Sequence, residues 1–174
     1  IPITDDDVFD AIKLLEKTQS QICSENLNSE NISLNIAKWI KKTPVIYYPR
    51  GLNSVATRFK NSLQENAKIH VISEELFEAC HNGIVAWNKN ENFQPILIRG
   101  KDDHEKTKER WEILKEFFQK EKIEFLEINS VEGNIFSKII NLIYVMDYAS
   151  IFHAVLNEID PSPVNAIDFV KSKL

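Results

Sequence analysis

The stretch PVIYYPRGLNSVATRFKNSLQENAKIHVI, residues 44–72, decides the fold class of this chain. It begins with PVIYY (44–48), a short, continuously apolar run of the kind that forms a buried parallel strand. PRGLN indicates a turn, and apolar residues then recur at helical spacing along 53–65. KIHVI (68–72) predicts a second strand. A strand, a helix and a strand in this order predict a parallel crossover unit.

The same alternation continues along the rest of the chain. Strands are predicted at 94–100 and 123–128, and helices at 103–121, at 134–157 and from the DPSPV segment to Leu174. We therefore expect an α/β fold of three layers, with a mostly parallel sheet of about four or five strands flanked by helices. In such folds ligands bind beyond the carboxyl ends of the strands, so we expect the site there.

Two helical patterns, at 5–23 and about 31–42, precede the first strand and are separated by a polar loop. We interpret residues 1–42 as an N-terminal helical arm and residues 43–174 as the domain that contains the sheet.

Two of the predicted helices begin with acidic residues, which the helix dipole favours. Asp5–Asp7 lie in the first turn of the helix 5–23. Asp102, followed three residues later by Glu105, indicates a capping box at the start of the helix 103–121.

The composition excludes several classes of protein. The 174 residues carry a net charge of −5, which argues against a general binder of nucleic acid or anionic membranes. The cysteines, Cys23 and Cys80, have no zinc-site or disulfide spacing, so we expect a reducing compartment and a cytoplasmic location. No apolar run reaches the ~18 residues that a membrane span needs.

Catalytic motifs of general type do not occur, and polar residues at the ends of elements remain as candidates. Glu65 lies on a polar helix stripe, which indicates either a solvated face or a general base with Arg58 nearby. His81 precedes Asn82 and Gly83, which indicates either a helix end or a catalytic imidazole.

Three further residues interrupt or end helical patterns. Asp147 and Ser150 lie in an otherwise apolar helix, so we expect them to find polar partners in the fold, and a catalytic role is the alternative. Lys171 lies in the last turn of the chain, where a basic residue suits the helix dipole.

Four segments together resemble a known family: NIAKWIKKTPVIYY, VATRFKNSLQENAK, FEACHNGIVAW and MDYASIFHAVLNEIDPSPVNAIDFVKSKL. They resemble the carboxyl-terminal half of the bifunctional phosphoglucose/phosphomannose isomerases, which consist of tandem sugar-isomerase (SIS) domains. The resemblance covers roughly residues 30–174. It implies an SIS-type fold, a homodimer, no cofactor, and a reaction of carbohydrate metabolism that interconverts aldose and ketose 6-phosphates through a cis-enediol.

The resemblance also implies roles for individual residues. Glu65, in QENAK, matches the glutamate that moves a proton between C2 and C1. His81, in CHN, matches the ring-opening histidine, which reaches into the site of the neighbouring subunit. Lys171, in VKSKL, matches a lysine near the ring oxygen, while Arg58 and Asn82 match family positions to which we assign substrate binding.

Two features depart from the family pattern. Phe77 and Gly83 stand where family members commonly have proline and glutamate. The Ser/Thr-rich phosphate loop of the amino-terminal SIS domain does not occur in this chain, and Ile1 is not methionine. We therefore expect a carboxyl-terminal piece of a chain about twice as long, with little isomerase activity alone. The alternatives are a non-catalytic module that binds a phosphosugar, and a half that serves mainly in dimerisation.

Overall fold

A parallel sheet forms the middle layer of the protein. The computed structural model describes residues 2–89 and 92–174, and within them the sheet has four strands: β1 Thr43–Tyr48, β2 Ile72–Glu75, β3 Phe93–Arg99 and β4 Leu126–Asn129. The strands lie in the order β2-β1-β3-β4, and each neighbouring pair is parallel. β2 and β4 are therefore the edge strands. This arrangement confirms the α/β class.

Helices cover both faces of this sheet. One face carries α1 Asp5–Ile22, α2 Ile32–Trp39, α3 Asn53–Asn66 and α6 Ile135–Leu156. The other face carries α4 Leu76–Ala79, a 3-10 helix Gly83–Lys89 and α5 Glu105–Lys120. A last helix, α7 Asn165–Lys171, follows α6. We call the first face the α3/α6 face and the second the α4/α5 face.

The alternation of side chains along β1 and β3 separates two hydrophobic cores. Ile46 and Ile96 are fully buried in the core of the α3/α6 face. Val45, Tyr47 and Leu97 are buried in the core of the α4/α5 face. Successive residues of a strand point to opposite faces, so these apolar runs fill both layers.

α6 is long and apolar enough, by length and composition, to cross a membrane. In the fold it is a core helix, because its buried polar groups bond to neighbouring helices. Asn141 donates to the hydroxyl of Thr18 at 2.8 Å, and His153 Nδ1 lies 3.0 Å from the carbonyl oxygen of Ala37. These contacts attach α1 and α2 to α6.

The second and fourth strands begin later than the sequence patterns predict. The sequence predicts a strand at 68–72, but β2 runs from Ile72 to Glu75. Lys68 has a φ of 57°, so the chain turns there before it enters the sheet. Lys122 has a φ of 56°, so the chain also turns there. β4 therefore begins at Leu126, whereas the sequence predicts a strand over 123–128.

The predicted capping box of Asp102 and Glu105 is wrong. His104 caps α5 instead, and its Nδ1 accepts a hydrogen bond from the backbone N–H of Lys106 at 3.2 Å. Asp102 forms an ion pair with Lys138 near the start of α6. The ammonium group of Lys138, on a neighbouring helix, therefore binds the Asp102 carboxylate in place of a capping contact.

Candidate active site

Glu65 lies in the last turn of α3, and its side chain is exposed. α3 connects two parallel strands, so it runs back against them, and its last turn lies at their amino ends. We expected the site beyond the carboxyl ends of the strands. The structure places Glu65 at the opposite edge of the sheet.

Lys68 joins the end of α3 to the segment before α7. Its ammonium group donates to the carbonyl oxygens of Glu65, of Pro163 at 2.7 Å and of Pro161 at 3.3 Å. This contact places the DPSPV segment beside the last turn of α3. Lys171 lies exposed in the last turn of the helix that this segment starts. Sequence reasoning missed Lys68, because no motif marks a lysine that binds three carbonyls.

Arg58 is paired with Asp147 of α6 rather than with Glu65. The guanidinium Nε lies 3.1 Å from Oδ1 and Nη2 lies 2.9 Å from Oδ2, which is a bidentate contact. Ser62 also donates to Asp147 Oδ1 at 2.6 Å. The hydrogen bonds to Asp147 raise the pKa of Arg58, and the charge of Glu65 makes a smaller contribution. Arg58 therefore helps to hold α3 against α6.

The expectation that the polar residues of α6 find partners is confirmed. Asp147 binds two side chains of α3, and the hydroxyl of Ser150 accepts a hydrogen bond from Asn66 at 2.8 Å. Together these contacts form a polar seam between α3 and α6, and it ends one residue beyond Glu65. The seam fixes the backbone that carries this carboxylate.

His81 lies in a turn after α4, on the other face of the sheet. Its backbone N–H and that of Asn82 both donate to the carbonyl of Glu78, at 3.0 and 2.9 Å. The His81 side chain is exposed, and its Nδ1 lies 3.2 Å from Oδ1 of Asn82. This turn is the helix end that the sequence indicates.

The structure does not bring Glu65 and His81 together within one chain. α3 packs in the core of one face and α4 in the core of the other. Glu65 also precedes the amino end of β2, whereas His81 follows its carboxyl end. The two residues therefore lie across the sheet from each other.

Phe77 and Gly83, the two residues that depart from the family pattern, lie near His81 in the chain and contact charged side chains. A Cβ atom at Gly83 would lie 2.3 Å from Oε2 of Glu74, so this carboxylate fills the space beside the glycine. Burial and the charge of Glu78 raise the pKa of Glu74. The ring of Phe77 lies 4.1 Å from the guanidinium carbon of Arg110. Sequence reasoning marked the two departures but missed Glu74 and Arg110.

A small apolar cavity of about 150 Å³ adjoins Gly83 on this face. Glu74 is an acidic residue of its wall, and Tyr47 and Trp87 also line it. Trp87 Nε1 donates to the Tyr47 hydroxyl at 2.8 Å. This bond fixes both rings.

No metal centre is evident in the described ranges, 2–89 and 92–174, where no three His, Cys, Asp or Glu side chains form a group that could hold an ion. The cysteines are free, and burial raises the pKa of Cys80. The carboxylate, imidazole and ammonium groups of the predicted residues are of the types that can transfer protons.

Solved structures with the same fold include proteins described as sugar-phosphate isomerases. A glucose-6-phosphate isomerase-like protein from Thermus thermophilus matches with a TM-score of 0.68 and 13% identity, over 90% of this chain and 52% of that one. A Listeria monocytogenes protein described as a sugar-phosphate isomerase matches with a TM-score of 0.61 and 10% identity. The match covers 91% of this chain and 94% of that one. The fold is thus that of a sugar-isomerase (SIS) domain.

The amino-acid sequence identifies the family. Residues 29–174 match the family described as the bacterial phosphoglucose isomerase C-terminal SIS domain, and the chain belongs to it. The bifunctional phosphoglucose/phosphomannose isomerase of Caldicellulosiruptor bescii is 28% identical, over 98% of this chain and 52% of the relative. That of Aquifex aeolicus is 27% identical, over 75% and 42%. The chain therefore spans about half the length of the curated relatives it matches.

Proposed function

We propose that this chain is the carboxyl-terminal half of a cytoplasmic isomerase that interconverts glucose 6-phosphate, and mannose 6-phosphate, with fructose 6-phosphate. The observation that carries the proposal is the family match over residues 29–174, together with Glu65 and His81 at the positions that resemble the family's catalytic groups. A preceding SIS domain, which binds the phosphate, supplies the other half.

In this proposal Glu65 is the base that transfers a proton between C2 and C1 through a cis-enediol. The C2 proton beside a carbonyl is only moderately acidic, so the base must be held in place. The polar seam between α3 and α6 holds the backbone before Glu65, and Lys68 binds its carbonyl. The carboxylate itself is exposed in this half, as expected if the preceding domain closes the site and excludes water.

The proposal assigns His81 to ring opening in the site of the neighbouring subunit of a homodimer. Its exposed imidazole lies on the face opposite the one on which Glu65 lies, which supports two different sites for these residues. Lys171, exposed on α7, is assigned to the ring oxygen, and Lys68 holds the start of its segment near Glu65. Asn82, beside His81, and Arg58, whose side chain remains 58% exposed, are assigned to substrate contacts.

The test is isomerase turnover in the full-length protein that carries this sequence. Glu65→Gln should lower kcat at least about a thousandfold, because the amide cannot accept the C2 proton, and should leave the thermal transition unchanged. Gln64→Glu, at the neighbouring exposed position, is the matched control and should leave turnover nearly unchanged. A Glu65→Gln variant with most of its activity would refute the assignment. The 174-residue chain alone should show little turnover, because it lacks the phosphate-binding energy.

A second candidate is that this half serves mainly in assembly. α7 buries none of its residues in the described chain, and it exposes Ile167, Phe169 and Val170. The end of α6 exposes Ile151 and Val155. Such apolar surface favours contact with another domain or subunit. Sedimentation of the isolated chain tests this role, since a monomer at all concentrations would argue against it.

A further inference from the structure

We propose that a cavity at the amino edge of the sheet binds a small hydroxylated anion of the sugar-phosphate class, independently of turnover. The cavity lies between the end of α2, the start of β1 and the end of α6; it is open to solvent and has a volume of about 560 Å³. This volume is within the range of about 300–1,000 Å³ that is usual for small-molecule sites. The proposal goes beyond the isomerase reaction, because it requires no catalytic residue.

Two adjacent lysines give the cavity its charge. Lys41 and Lys42 line it, and neither forms an ion pair with the described residues. Their backbone N–H groups both donate to Oε1 of Gln94 at 2.7 Å, and Gln94 is itself buried. The backbone of both lysines is therefore fixed before any ligand arrives. In a chain with a net charge of −5, this pair is a local site for an anion.

His153 and Asn157 supply groups for ligand hydroxyls. His153 is 6% exposed, and its Nδ1 donates to the Ala37 carbonyl at 3.0 Å, which leaves Nε2 with a lone pair. Asn157 Nδ2 lies 3.4 Å from Nε2, too far for a strong bond, and donates instead to the His153 carbonyl at 2.7 Å. Asn157 Oδ1 accepts no hydrogen bond within the described residues. Both residues line the cavity, and their acceptor atoms are of a kind that suits hydroxyl groups.

The remaining walls suit the body of a sugar rather than a second charge. Ile40, Ile69 and Ile159 give apolar surface for the C–H face of a ring, and none of the described residues that line the cavity is acidic. A phosphate with no attached sugar would use the lysines but not these walls. The cavity therefore favours a phosphorylated monosaccharide over inorganic phosphate and over a neutral sugar.

The site is positioned to influence the proposed base. Ile69, in its wall, follows Glu65 by four residues and Lys68 by one. Lys68 in turn binds the carbonyl of Glu65 and the segment that leads into α7. A ligand in the cavity would restrict this segment, so we expect binding to be coupled to the order of the last turn of α3.

The test is titration of the ¹⁵N-labelled 174-residue chain, followed by two-dimensional NMR. Glucose 6-phosphate should shift the backbone amides of 40–43 and 153–159, inorganic phosphate should do so more weakly, and glucose at equal concentration should not. The double variant Lys41→Ala/Lys42→Ala should raise the dissociation constant of glucose 6-phosphate about tenfold or more. Lys13→Ala/Lys17→Ala removes the same charge from the exposed surface of α1 and should leave it unchanged.

Either of two results would overturn the proposal. One is an unchanged affinity in the Lys41→Ala/Lys42→Ala variant. The other is a set of shifts confined to the surroundings of Glu65 and Lys171, which would leave the isomerase assignment intact and remove the second site. Loss of turnover in the Glu65→Gln variant, in contrast, does not bear on this binding.

Discussion

Burial raises the pKa of the Tyr47 hydroxyl to about 12 from an ordinary value of 10, although the hydrogen bond from Trp87 acts in the opposite direction. Between these two values the unfolded chain has released the phenolic proton and the folded chain has not. The folded state then binds more protons, so the free energy of unfolding falls as the pH rises through this interval. Below pH 10 both states keep the phenolic proton, so the free energy of unfolding does not change with pH through Tyr47.

We therefore predict that Tyr47 contributes a fall of about 2–3 kcal/mol in the free energy of unfolding as the pH rises from 10 to 12. Urea unfolding at a series of pH values measures it. Tyr47→Phe should be less stable at neutral pH, because Trp87 loses its acceptor, but should show a smaller fall. Tyr48→Phe, on the other face of β1, is the control. Equal pH dependence in Tyr47→Phe and the parent chain would contradict the account.

The sequence predicts that certain polar residues need partners, but it does not predict which residues those partners are. Asp147 and Ser150 were expected to need partners because they interrupt an apolar helix, and the structure provides those partners. The sequence could not say that Arg58 is one of them, since the two residues are 89 positions apart. Spacing along α3 instead suggested Glu65 as the neighbour of Arg58. Long-range contacts of charged side chains depend on helix packing, which local patterns do not contain.

At the scale of elements, Lys68 is the connection between the end of α3 and the start of the α7 segment. We predict that Lys68→Met speeds hydrogen exchange at the amides of 162–171 by about tenfold, because bonds from a charged donor to Pro161 and Pro163 are lost. Hydrogen exchange followed by mass spectrometry measures this change.

The control for this prediction is Lys60→Met, on α3, because the Lys60 side chain forms no hydrogen bond or ion pair among the described residues. It should leave exchange in 162–171 unchanged. If Lys68→Met also left it unchanged, Lys68 would not be what orders this segment, and its role in holding Lys171 near the proposed base would fail.

The order and type of the elements could be predicted from the sequence, but two strand starts could not. Apolar runs and helical periodicity located the layers, since both reflect burial. The stretch 68–72 has the composition of a strand, yet pairing with β1 begins at Ile72. Lys68 and Lys122 adopt left-handed backbone conformations, and neither residue type signals such a turn.

For the whole molecule, the decisive property is that Glu65 and His81 lie across the sheet from each other. The family pattern marks both residues as candidates, because QENAK and CHN occur in the sequence. Their separation follows only from the crossover, which sends α3 to one face and α4 to the other. One chain therefore carries the proposed base on one side of the sheet and the imidazole of His81 on the other. A symmetric dimer can combine the base of one subunit with the imidazole of its partner.

The most direct test of this central claim is complementation between two inactive variants of the full-length protein. We expect Glu65→Gln and His81→Ala chains each to be inactive or nearly so. They are mixed in equal amounts, unfolded and refolded together. If each site combines residues of two subunits, half of the dimers are mixed and each has one intact site. We therefore predict recovery of about a quarter of wild-type turnover. Turnover that stays at the level of the separate variants, in a sample shown to contain mixed dimers, would contradict the account.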